Sequence, residues 1–523
     1  MKLKSQAFAL FIFLIGLGPF QNGISQQNLN TELVVNHLLT DDRYSGSWVY
    51  VDEFEREYAL LGAKTGTAVI EIIGQDSSFL RGFIPGPASN WREITSLGDF
   101  AFVTTEGADS IGMQVIDLSP LPQDSPVLVT QFVEQFDRAH IIQRDVYSED
   151  PYVYVIGTQT SQGVHIIDVQ DPENPVQIGL YEPGYYIHDA HVKGDKMFCA
   201  AFYEAKMDIV DISDKTNPTL IASIEDPGVN THSSWLTEDD KYLIVTDEAD
   251  GFPSRIWNIE DLENIFEVST YSANLESLVH NPYIKGDFAF ISHNTEGLRI
   301  VDLVDPRYPV EVGYYDTYNG PSGGFSGLWS ACPFLPSGKI VGGDRTRGLF
   351  VWDFNETFAG RIYGRVEDAS TGNLLPDALI ETQIAGLDTL IQVDENGEFV
   401  LAFYPQWIFV EVSAPGYESR TENIDLSVGG SENIIFQLDL ISSVSNSGGS
   451  DPILFPNPGG DWISISKLTE GNPSISVVDV FGKTWPTNYS FKSDQISVDI
   501  SKLPGGLYFL IIHERKPLSF CKQ

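Results

Sequence analysis

Apolar and polar residues in this chain alternate over short stretches or gather in brief apolar runs broken by Gly, Asp, Asn and Pro, the signature of β-strands joined by turns. One phrase, an apolar run closed by an acidic or amide residue, recurs seven times. It reads AVIEI at Glu71, QVIDL at Asp117, HIIDV at Asp168, DIVDI at Asp211, RIWNI at Asn258, RIVDL at Asp302 and FVWDF at Asp353. The intervals are 46, 51, 43, 47, 44 and 51 residues. A period of that length marks one supersecondary unit copied in series, each copy covering the apolar face of its neighbour.

Each copy carries four strand signals. The best preserved has HNPYIK (280–285), DFAFISH (287–293), GLRIVDL (297–303) and PVEVGYY (309–315). Turn residues separate them, and the link DPRYP recurs as DPENP (171–175) and DKTNP (214–218), where Pro ends the strand and Asp caps the turn's amides. Four strands in ~45 residues is the period of a propeller blade. No amphipathic stretch of period 3.6 appears, which excludes a helical solenoid.

The first strands carry Trp48, Arg92, His140, His188, His232, His280 and Trp329, each 22 to 28 residues ahead of its closing residue. The last copy has only three strands, and ELVVNHLL (32–39) is positioned to supply the fourth, closing the ring and removing its exposed edges. Seven blades fit this count, with six or eight as the alternatives. The periodicity ends after Phe354. Residues 360–440 read as a small β-sandwich, SSVSNSGGS (442–450) as a flexible linker, and 452–523 as a further β unit. The expected fold is therefore all-β: a seven-bladed β-propeller over 31–357, a sandwich over 360–440, a linker over 441–451 and a second sandwich over 452–523.

Composition narrows the function. The chain has 523 residues, with 31 Lys and Arg against 73 Asp and Glu, a formal charge of −42. Such a balance repels nucleic acid and anionic membrane surfaces and suits an exported protein. Lys2 and Lys4, the apolar stretch Ala7–Leu17 and the small residues Gly23 and Ser25 read as a signal peptide over 1–25. That apolar run is too short to span a bilayer, and no later segment reaches ~20 uninterrupted apolar residues. Three cysteines, Cys199, Cys332 and Cys521, make no disulfide framework.

Three resemblances follow from longer phrases. WVYVD (48–52), EYALLGAKTGTAVIEI (57–72), WREI (91–94), HDAHV (188–192), HSSWLTEDDKYLIVTDE (232–248), VHNPYIKGDFAFISHNTEGLRIVDL (279–303) and GLFVWDF (348–354) resemble the LVIVD-repeat propellers, and among them the choice-of-anchor B family of exported bacterial proteins. GRVEDASTGNLLPDA, VDENGEF and APGYES resemble carboxypeptidase-regulatory-like sandwiches, which implies an accessory module with DENG (394–397) as a tight turn. FPNP (455–458), VVDVFGK (477–483) and DISKLPGGLYFLII (499–512) are similar to the type IX secretion C-terminal sorting domain of Bacteroidetes. That resemblance assigns Pro456, Asn457, Pro458, Gly482, Gly505, Gly506 and Tyr508 to the sorting motif. It implies export through the periplasm to the cell surface, with the secretion machinery as a partner.

Among candidate chemistry, the histidines stand out. His140, His188, His232 and His280 begin four successive first strands, and His191 follows three residues after His188. First strands line a propeller's channel, so these imidazoles are placed to converge at one mouth, with Glu93, Asp189 or Asp247 alongside. A divalent metal suits such ligands: zinc by ligand type, or calcium at the acid-rich TEDDK (237–241) and TDEAD (246–250). The competing reading is that copied positions carry copied polar residues and that both acidic stretches are solvated loops. Trp48, Trp91, Trp235 and Trp329 are either an aromatic rim for a glycan or peptide, or packing between blades. The closing acids read as turn caps. No GxSxG or HExxH occurs. The leading expectation is an extracellular binding or scaffold module for a protein or glycan ligand; the alternative is a metal-dependent hydrolase at the histidine-lined mouth.

Overall fold

The structure is a computed structural model describing residues 27–41, 43–107, 111–384, 387–441, 453–455, 460–466, 475–479, 483–492, 495–512 and 518–522. The expected signal peptide, all of the linker after Ile441, and Pro456, Asn457, Pro458 and Gly482 of the sorting motif lie outside them. Among the described residues there is no α-helix, only a 3-10 turn at Phe202–Glu204. The chain divides into two units, one up to Leu440 and one from Ile441.

Seven antiparallel sheets follow one another along the first unit. The first consists of Tyr44–Val51, Glu57–Ala63, Gly66–Gly74 and Ser77–Pro85. The next six open with Arg92–Leu97, Ile141–Gln143, Ile187–Lys193, Thr231–Leu236, Asn281–Lys285 and Leu328–Cys332. Each opening strand packs beside the opening strand of the following sheet, and Leu328–Cys332 packs beside Tyr44–Val51, so the contacts run round a closed circuit. This is a propeller-like repeat arrangement.

The seventh sheet takes its fourth strand from the start of the chain: Thr31–His37 pairs antiparallel with Gly348–Phe354, as the sequence pattern anticipates. Asn28–Leu29 also adds a fifth strand to the sixth sheet, along Val310–Tyr315, which the repeat pattern does not reveal.

Why the middle strands read as continuous apolar runs is now plain. Ile244, Ile256, Ala289, Ile291 and Val301 are essentially inaccessible because their sheets are covered on both faces. Fourth strands such as Val176–Tyr181 face solvent on one side and alternate. The closing residues divide in two. Asp117, Asp168, Asp211, Asn258 and Asp302 each accept an amide two residues on, from Ser119, Gln170, Ser213, Glu260 and Val304. Glu71 and Asp353 depart from the capping expectation. Glu71 is one methylene longer and pairs with Arg81, while Asp353 faces Lys339 at 3.5 Å.

Asp302 does more than cap. It accepts Ala359 N–H at 2.7 Å and the Arg361 guanidinium at 2.7 Å, tying the sixth sheet to the segment that follows the repeats. That segment forms two sheets, of three and four strands, around one buried cluster including Ile362, Val410 and Phe436. DENG is the expected turn: Asp394 accepts the amides of Asn396 and Glu398, with Gly397 at φ +67°. The second unit has two four-stranded sheets whose buried residues, Ile463, Val477, Val498 and Leu510 among them, form one core.

Candidate metal centre at the mouth of the ring

The site is built by irregularity in the opening strands. Pairing with the second strand slips between Ile187 and Ala190, between Thr231 and Ser234, and between Leu328 and Ser330. The residues displaced by these bulges are His188–Asp189, His232–Ser233 and Trp329. A bulge breaks strict alternation and re-aims a side chain. Here it lets His188 and His232 turn inward together with His280, which immediately precedes Asn281–Lys285.

Once aimed, the rings form a row. Centroids lie 4.4 Å apart from His188 to His232, 4.4 Å from His232 to His280, and 4.1 Å from His280 to Trp329. Nδ1 of His232 lies 3.1 Å from the carbonyl of His280, and Nδ1 of His280 lies 3.0 Å from the carbonyl of Trp329. A carbonyl only accepts, so both Nδ1 atoms carry hydrogen and each neutral ring keeps its lone pair on Nε2. Those Nε2 atoms point at one carboxylate. Glu248 stands 4.0 Å from Nε2 of His188, 3.7 Å from that of His232 and 3.6 Å from that of His280. Ligand atoms of His188, His232 and Glu248 all lie within 4.8 Å of one another.

Electrostatics keep the row neutral. Burial, reinforced by neighbouring imidazoles, holds His232 down at about 3 and His188 well below its ordinary value. Burial likewise holds His280 at about 3, despite its bond to the Trp329 carbonyl. The result is three neutral imidazoles converging on one carboxylate, with the Nε2 lone pairs of His232 and His280 fixed toward it. Those lone pairs and the carboxylate repel one another in a poorly solvated place, and a cation reverses the sign of every term.

His140 is adjacent but differently engaged. Its ring lies 4.2 Å from His188, while its Nδ1 is 2.8 Å from Glu106. Burial pulls its basicity down, but the Glu106 hydrogen bond and the charges of Glu106, Glu93 and Glu248 outweigh this and raise it. His191 lies apart. It stacks 4.1 Å from Trp235, in a buried aromatic layer with Trp48, Tyr283 and Phe334.

Other expected positions sort by register. Ser45, not Trp48, is the first sheet's counterpart of the histidines, because it lies in that sheet's bulge and hydrogen-bonds Arg92 O on the neighbouring opening strand. Trp48 sits three residues further on, in the aromatic layer. Arg92 turns away to the carbonyls of Ala63 and Pro87. Glu93 enters instead, accepting Trp329 Nε1 at 2.9 Å, and burial raises its carboxyl to about 7. Gly46 makes room, since a Cβ there would collide with the Glu93 carboxylate. Asp189 accepts Ser233 Oγ at 2.7 Å, and Asp247 accepts the amides of Val229 and Asn230. Of the tryptophans, Trp91 is partly exposed, whereas Trp48, Trp235 and Trp329 are buried, as in the packing alternative.

Glu248 is the residue the sequence did not single out. It belongs to TDEAD, read as either a solvated loop or a calcium loop, and it directly follows the second strand, Tyr242–Asp247. Thr246 on that strand bonds the His280 carbonyl at 2.7 Å, which fixes the strand end against the next sheet and leaves Glu248 over the histidines. The available signal was a Glu two residues beyond Thr246 in the same repeat as His232.

Comparison with known proteins fits this organisation. Residues 188–226 and 281–317 match the LVIVD repeat, 361–439 the carboxypeptidase regulatory-like domain, and 453–522 the secretion system C-terminal sorting domain. No curated protein matches the chain. Among solved structures, the chain is similar to a functionally unknown protein from Desulfotomaculum acetoxidans DSM 771, at 14% identity and a TM-score of 0.42, over 55% of this chain and 89% of that one. The sorting domain implies handling by the secretion machinery and a secreted or cell-surface location. Among the described residues no helix is long and apolar enough to cross a membrane.

Proposed function

We propose that this chain is a type IX-exported surface protein whose residues 31–357 form a seven-bladed β-propeller that binds a divalent first-row metal at one mouth of its channel. The regions 360–440 and 452–523 are β-sandwiches, the first an accessory module and the second the sorting domain. His188, His232, His280 and Glu248 are the ligands, and zinc suits their nitrogen and carboxylate donors better than calcium, which prefers oxygen. One observation carries this reading: three imidazoles whose Nε2 atoms face a single carboxylate at 3.6–4.0 Å. The carbonyl bonds that fix two of the tautomers are the usual outer support of a metal-bound histidine. Copied strands account for histidines recurring at one position. They do not account for a carboxylate from a different strand meeting all three.

The metal makes the propeller a binding module with a chemically defined mouth. A hydrolytic role is the second reading, favoured by the Glu106–His140 pair beside the site, which is built to hold a proton.

Metal analysis of the purified full chain after zinc reconstitution tests the assignment. About one equivalent is expected, lost in His232→Ala and in Glu248→Ala but retained in His191→Ala, whose ring lies in the aromatic layer. A wild-type protein that takes up no metal would sink the proposal.

A further inference from the structure

Among the described residues four arginines are buried: Arg92, Arg299, Arg345 and Arg361. Three have partners. Arg361 pairs with Asp302 at 2.7 Å, Arg299 with Glu311 at 3.4 Å, and Arg92 donates to two carbonyls at 2.7 and 3.1 Å. Arg345 is only 8% exposed as a residue, yet its guanidinium makes no hydrogen bond or ion pair with any described residue, and its nitrogens keep contact with solvent. It lies over the indole of Trp329, with Cζ 4.5 Å from the ring centroid. That indole is in turn 4.1 Å from the ring of His280. Arg345 therefore borders the proposed metal site on the side away from His188, close enough for the charges of Glu248 and Glu93 to act on it.

The stacking contact does not explain the arrangement. A cation over an indole gains about 0.5–2 kcal/mol, but it leaves five N–H donors in the guanidinium plane unused. Nearby acids do not take them: Glu93 holds the Trp329 indole N–H, and Glu248 faces the histidines. A planar fork of donors that the protein leaves free and solvent reaches is the group best shaped to grip carboxylate or phosphate oxygens two at a time.

Building on the metal reading above, we propose that this mouth receives a small organic anion, a carboxylate- or phosphate-bearing molecule held between the metal at His188, His232, His280 and Glu248 and the guanidinium of Arg345. Trp329, itself buried, orients that guanidinium. The −42 net charge of the chain opposes anions at long range. Salt confines that repulsion to about 8 Å at physiological ionic strength, so recognition is local.

Cobalt(II) replaces zinc as a visible reporter in the full-length protein. Wild type and Arg345→Met should both show the absorption of a bound cobalt ion, which establishes that metal site and fold are intact. Titration with malonate and with inorganic phosphate should shift the wild-type spectrum saturably, while neutral malonamide should not. A shift with only one of the two anions identifies which oxyanion the mouth is built for. Arg345→Met should weaken the anion response by at least about 10-fold, the loss of a charge-assisted hydrogen bond of ~1.4 kcal/mol. Arg345→Lys, which keeps the charge and loses the fork, should fall between. An undiminished response in Arg345→Met, or a response to malonamide equal to that to malonate, overturns the proposal. Absence of any cobalt spectrum in the wild type refutes the metal reading itself, and is seen before any anion is added.

Discussion

Acidification should separate His232 from an ordinary buried polar residue. In the folded, metal-free protein its proton affinity is held down at about 3, burial being the largest cause. In the unfolded chain it returns to about 6.5. Below pH 6.5 the unfolded state thus binds a proton that the folded state refuses, so His232's contribution to stability falls as pH falls and is fully present only above pH 6.5. From pH 7 to pH 5 the difference integrates to about 2 kcal/mol for this one residue. The wild type alone does not isolate it. Glu93, raised to about 7, takes up its proton in the folded state and so stabilises over the same interval, with the opposite sign. His140, also raised, acts in that direction too. The clean measurement is a difference: urea unfolding of wild type and His232→Gln in chelator at pH 7 and at pH 5, followed by tryptophan fluorescence. Glutamine does not titrate, so its destabilising effect at pH 7 should shrink by about 2 kcal/mol at pH 5. An unchanged difference between the two proteins at the two pH values would refute the claim that folding holds this imidazole neutral.

Two other outcomes follow from the fold. Asp302→Ala leaves the 2%-exposed Arg361 without its carboxylate and uncaps the turn at Val304, and should cost about 3–5 kcal/mol in thermal or urea unfolding. Asp168→Ala, which removes a cap alone, should cost only about 1 kcal/mol in the same assay. Deleting residues 452–523 should leave the protein in the periplasm, detected by fractionation and surface proteolysis; surface display of the truncated chain would contradict the sorting role of the segment matched at 453–522.

Much of this molecule was legible as text. Strand length, turn chemistry and the recurring closing residue establish an all-β chain of copied units, because period and capping are local properties that survive in any context. The strand 32–39 was legible as a partner for 348–354 because a three-stranded last copy leaves an edge needing cover. The sorting segment was legible because sorting is read from short phrases. Even the histidine positions were visible, since they recur at one place in successive copies.

Three-dimensional packing alone settled which of those side chains meet. Alternation of period two assigns each residue to a face, but bulges at His188–Asp189 and His232–Ser233 break that count, so the aim of these rings follows from pairing with the second strand. The same shift moved Trp48 out of the histidine register and put Ser45 there. Ring closure brought His188, His232 and His280 together although each lies a full repeat from the next. It also delivered Glu248 and Arg345 from second-strand ends, positions with no period of their own. A repeat determines what is copied; the convergence of unlike residues from different copies is a property of the closed ring, where side chains distant in sequence share one poorly solvated space.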